Sequence, residues 1–95
     1  MAVGDVKNGL VSISANGSAV IQPPSGEEWM IVNITVSGAA SLYWTDGTTD
    51  VLIDSSTGGK TWANFKWFIT NTLYLKVVDD SGGGINMVYD GVQTK

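Results

Sequence analysis

The sequence predicts an all-β fold, an antiparallel β-sandwich of about eight short strands in a jelly-roll-like order, and three observations predict it. Twelve glycines and a heavy load of Ser, Thr, Asn and Asp cut the 95 residues into short pieces. The pieces between them are rich in Val, Ile, Leu, Trp and Tyr, which suit a pleated, half-buried surface. No window keeps helical spacing for three turns, and strong helix formers are scarce.

Each strand has its own local reason. Leu10–Ser14 alternates and ends at Asn16-Gly17, a dipeptide made for the positive φ angles of a tight turn, so Ser18–Gln22 is expected to return antiparallel beside it. Pro23-Pro24 closes that strand, because neither residue can donate a ladder hydrogen bond. Glu28–Val36 is the longest apolar run and reads as a central strand covered on both faces at its start. Ser41–Thr45 and Asp50–Asp54 flank Asp46-Gly47, the second hairpin signal. Ser55–Thr61 reads as a flexible loop. Phe65–Thr70, Leu73–Val78 and Ile85–Tyr89 complete the set, separated by Asn71-Thr72 and by Asp79–Gly84. One domain over residues 10–95 follows, preceded by a flexible arm over residues 1–9 with few apolar residues to fix it in a core.

Composition excludes most chemistry. Cysteine and histidine are both absent, which removes disulfides, thiol nucleophiles, the commonest metal ligand and the commonest proton shuttle. The net charge is −4 and the five basic residues are scattered lysines, so a nucleic-acid partner is not expected. No run of 18 apolar residues exists to span a membrane, and Met1–Asp5 lacks the features of a secretion signal. Only 15% of residues are charged, so little electrostatic repulsion keeps copies apart. A domain this small also has a thin stability margin. Both facts point towards an assembly.

The motifs that invite chemistry have plainer readings. Asp46, Asp50 and Asp54 recur every fourth residue, but a calcium loop needs closer alternating oxygens and a distal Glu, and two of the three sit at strand ends or turns. Asp79-Asp80 reads as a solvated pair in a glycine-rich turn. Gly59-Lys60-Thr61 resembles the end of a phosphate loop without its first glycine or its helix. Two carboxylates acting on a sugar need a cleft this chain hardly has room for. The protein is therefore not expected to be an enzyme or to hold a cofactor or metal. Trp29 and Trp44, set among aliphatic neighbours, are expected in the core. Trp62 and Trp67 flank Phe65 beside the glycine loop, and three readings stay open for them: core, contact with a subunit or another partner, and a sugar-stacking platform.

One resemblance covers most of the chain from Ala19 to Gly91. It rests on Ile21–Trp29 (IQPPSGEEW), Asn33-Ile34, Leu42–Gly47 (LYWTDG), Thr70–Val77 (TNTLYLKV) and Tyr89-Asp90-Gly91. The pattern resembles small structural proteins of tailed bacteriophages, of the capsid decoration or cement type. It implies a virion protein made in the host cytoplasm, a homotrimer on the outer head surface that binds the major capsid protein and stabilises the capsid. On that reading the N-terminal arm orders on the capsid, and Val3, Val6, Trp62, Phe65 and Trp67 are the candidate interface residues. The alternative is a tail- or fibre-associated adhesion module that binds host glycans through Trp62 or Trp67.

Overall fold

The computed structural model describes residues 3–95, which form nine strands and no helix. They are β1 (Val6–Ile13), β2 (Ser18–Ile21), β3 (Glu28–Val36), β4 (Ala40–Thr45), β5 (Asp50–Ser56), β6 (Lys60–Trp62), β7 (Trp67–Thr70), β8 (Tyr74–Asp79) and β9 (Ile85–Gln93). A five-stranded sheet runs β1-β9-β3-β6, with β7 also paired to β3, and a four-stranded sheet runs β2-β8-β4-β5. All pairings are antiparallel. Apart from the β4–β5 hairpin and the β6–β7 link, every connection crosses from one sheet to the other. That alternation is the wrapping of a jelly roll.

The core lies between the sheets. Ile13, Ile31, Ile34, Trp62, Trp67, Ile69 and Met87 come from the five-stranded sheet, and Ile21, Leu42, Leu75 and Val77 answer from the other. Period-2 alternation sets this up, since each strand sends alternate residues inward. Gly91 is required by close approach, because a side chain there would lie 2.1 Å from the Met30 carbonyl oxygen, and one on Gly9 would press on the Tyr89 ring at 3.0 Å.

The two expected hairpins part ways. Asp46-Gly47 does join β4 to β5, with Thr45 opposite Asp50 and Gly47 at φ +96°. Asn16-Gly17 makes its turn, with Asn16 at φ 58° and the Gly17 N–H bonded to the Ser14 carbonyl at 2.8 Å. The strands it joins are not partners, however: β1 pairs with β9 and β2 with β8. Turn chemistry fixes local φ angles, while Ile13 and Ile21 are buried from opposite sheets of one core.

Three other expectations are corrected. Ser55–Thr61 is not a loop throughout, because β5 runs to Ser56 and β6 starts at Lys60, so the strands number nine. The arm does not reach residue 9: β1 begins at Val6, and the Gln93 N–H reaches the Asp5 carbonyl at 2.9 Å. Met1 and Ala2 lie outside the described residues. Lys7 helps to hold this end, turned inward and buried, 3.6 Å from Glu27 and 5.3 Å from the centre of the Trp29 ring. Asp79 is not solvated but 3% exposed. Its carboxylate accepts from the Asn16, Ser81 and Gly84 amides and the Ser81 hydroxyl, tying the β1–β2 turn to the β8–β9 turn.

Candidate interaction surface

The outer face of the five-stranded sheet is where apolar side chains collect outside the core. Its registers place Val6 opposite Val92, Val92 opposite Met30, and Met30 opposite Phe68. These four side chains form one row across β1, β9, β3 and β7. A polar row, Asn8, Asp90 and Asn33, comes next, with Asn33 Nδ2 donating to Asp90 Oδ1 at 2.9 Å. Leu10 and Val88 follow, continued by Thr35 and Thr61. Val6 and Leu10 are each 69% exposed and Phe68 is 62% exposed. Isolated exposed apolar residues are ordinary on any protein, but a row across four strands forms a patch. Among the described strand residues that point out of this face, the charged ones are Asp90, held by Asn33, and Glu28 at the margin, 4.0 Å from Lys95.

The outer face of the four-stranded sheet is more polar. Val20, Lys76, Tyr43 and Leu52 form its comparable row, and Lys76 Nζ bonds Asp50 Oδ2 at 2.8 Å. That bond lowers the Asp50 pKa and raises that of Lys76. Beside the pair is an open groove of about 300 Å³ lined by Thr45, Thr48, Asp50, Tyr74 and Lys76. Asp46 holds the loop at its mouth by accepting from the Thr48 and Thr49 amides, which lowers its own pKa.

The candidate interface residues fall into two groups. Trp62 and Trp67, at 2% and 6% exposure, belong to the core, so neither can serve as a sugar platform or a surface contact. Asp54 fixes Trp62 by accepting from its indole N–H at 2.7 Å, and also accepts from Lys60 at 2.7 Å. The Lys60 ammonium and then the Trp62 N–H hold the Asp54 carboxyl down at about 2. Trp29 and Trp44, expected in the core, are instead half-buried and packed against it. Phe65 remains accessible, its ring stacked on Trp67 at 4.9 Å. Val3 and Val6 are both exposed. Sequence reasoning missed Leu10, Met30, Phe68, Val88 and Val92. Their alternation with buried neighbours was visible, but which face of each strand met the core depended on pairings between distant segments.

The three acidic residues at four-residue spacing do not converge. Asp46 caps a turn, Asp50 pairs with Lys76 and Asp54 with Lys60. Among the described residues no group of three or more His, Cys, Asp or Glu is placed to hold a metal ion.

Fold and surface together define an antiparallel β-sandwich of jelly-roll order with an apolar row, exposed at its two ends, across the outer face of one sheet. No family model and no curated protein matches the chain. Among solved structures, it is similar to the Drosophila NLP core, whose crystal structure concerns pentamer formation and histone binding. The two are 12% identical, the match covers 93% of this chain and 98% of that one, and the TM-score is 0.55. At that identity the likeness is one of fold.

Proposed function

We propose that this protein is a structural component of a tailed-phage particle, a decoration protein that sits on the outer head surface, binds the major capsid protein and stabilises the capsid. The observation that carries the proposal furthest is the Val6–Val92–Met30–Phe68 row, exposed at Val6 and Phe68 and half-buried between them, on an otherwise weakly charged face. Such a row gains free energy when a partner covers it, at roughly 25 cal/mol per Å² of apolar surface removed from water. The family resemblance supplies the identity of the particle, and the row supplies a surface with which to bind it. The proposal gives the protein no catalytic role, because adhesion through many weak contacts needs shape and apolar area alone.

We propose a homotrimer as the unit that decorates the head. The NLP core, of similar fold, is described in terms of pentamer formation, so this architecture is compatible with a closed ring. The glycan-binding alternative loses its platform of Trp62 and Trp67 to burial.

Particles assembled without the protein test the reading. They are expected to lose heat resistance and regain it when purified protein is added back, with many copies imaged on the head. Particles of unchanged stability with impaired adsorption to host cells would overturn it in favour of a tail or fibre role.

A further inference from the structure

We infer that a second copy of this chain adds to the free edge of β1, antiparallel and across a two-fold axis at Asn8, so that Val6 of each copy faces Leu10 of the other. An open sheet edge is a row of unpaired N–H and C=O groups, and proteins blunt such edges by shortness, proline, bulges or charge. Among the described residues, the other edges carry these devices. β2 is four residues long and runs into Pro23-Pro24. β5 has a register shift opposite Leu42 and Tyr43 and bears the Asp50 and Asp54 ion pairs. β6 and β7 are three and four residues long and share one lane along β3.

β1 has none of them. It runs eight residues in unbroken register with β9 and contains no proline. Its one charged side chain, Lys7, is turned into the interior, so two copies of β1 meet without like-charge repulsion. The bond from the Gln93 N–H to the Asp5 carbonyl sets the phase of the ladder. Alternation then turns the N–H and C=O groups of Val6, Asn8, Leu10 and Ser12 away from β9 and towards the open edge.

The side-chain pattern is self-complementary about Asn8. Pairing Asn8 with Asn8 sets Val6 opposite Leu10 twice, bringing together two side chains that are each 69% exposed in one copy. Centring the pair on Leu10 instead leaves Val6 opposite Ser14, and centring it on Val6 leaves Leu10 opposite Ala2. Only the Asn8 register pairs both apolar residues with each other. It also extends the Val6–Val92–Met30–Phe68 row from one copy into the next. Such a two-fold contact is isologous, and it leaves the contacts of a trimer to other surfaces. A strand pair of this length buries less than the ~800 Å² per partner of a standard interface, so dimerisation is expected to depend on concentration. It does not depend on what the protein binds.

The chain has no cysteine, so a single introduced thiol reports the register. In a hydrogen-bonded antiparallel pair the Cα atoms are about 5.5 Å apart, within disulfide reach. Asn8→Cys is expected to cross-link into a dimer under mild oxidation. Ser12→Cys, whose two copies would lie roughly 27 Å apart at about 3.4 Å per residue, is expected to form no disulfide-linked dimer. By sedimentation, the wild type should associate as concentration rises, Leu10→Lys should not, and Leu52→Lys on β5 should behave as wild type. Equal cross-linking at both positions, no cross-linking at Asn8, or a wild type that stays monomeric at all concentrations would overturn the inference. Failure of capsid binding with the Asn8 cross-link intact would count against the decoration role alone.

Discussion

The two sheets share one core and differ on their outer faces. The five-stranded sheet exposes Val6, Leu10, Phe68 and Val88 and has an unprotected edge in β1. The four-stranded sheet carries the Lys76–Asp50 pair and a polar groove, and its edges are short or bulged and charged. Folding alone requires none of this difference, because either sheet could face water with polar side chains. One face therefore gathers apolar side chains across its strands, and the other mixes them with charges.

Substitutions inside and outside the five-stranded sheet should separate folding from binding. The largest effect is expected from Trp62→Ala, which empties a fully buried indole site and should cost roughly 3–5 kcal/mol in chemical denaturation. Gly91→Ala follows at about 1–3 kcal/mol, since the new methyl group meets the Met30 carbonyl and β9 must shift against β3. Phe68→Ser, at the exposed end of the row, should change stability by less than about 0.5 kcal/mol while weakening the proposed binding to the head. If Phe68→Ser destabilised the protein as much as Trp62→Ala, the row would belong to the core and the contrast between the faces would collapse.

Acid should act on the end of the sandwich where Asp79 sits, and also on the carboxylates of β5 and its turn. The Ser81 hydroxyl, then backbone amides, hold the Asp79 carboxyl at about 2 against an ordinary value of 3.8. A group with a depressed folded pKa contributes its stability in full above its unfolded value and loses it as pH falls through the folded one. Thermal melts should therefore fall between about pH 4 and pH 2, and Asp79→Asn should flatten that part of the profile. Asp54, also held at about 2, contributes in the same window, so the flattening should be partial. An unchanged acid profile in Asp79→Asn would show that the knot around Asp79 adds nothing.

Local features of the fold were legible in the sequence, and long-range ones were not. The Asp46-Gly47 hairpin could be read because its turn residues and both strands are adjacent in the chain. At Asn16-Gly17 the same kind of signal gave the turn but the wrong neighbour, since the strand partners lie more than fifty residues away. Trp62 was hard to place because the three-residue strand that carries it follows a glycine-rich stretch. Its anchor, Asp54, comes from β5 across that loop. The buried role of Asp79 depends on the meeting of two turns that no local pattern announces. The apolar row is of the same kind: each member was visible as part of an alternation, but only the register of four strands lines them up.

The most direct test compares lysine substitutions on the two faces in binding to heads that lack the protein. Phe68→Lys with Val88→Lys charges the five-stranded face, and Val20→Lys with Leu52→Lys charges the other. Both pairs replace exposed residues, so both proteins should fold. The account predicts that the first pair abolishes binding and the second retains it. Retained binding with Phe68→Lys and Val88→Lys in place would contradict it.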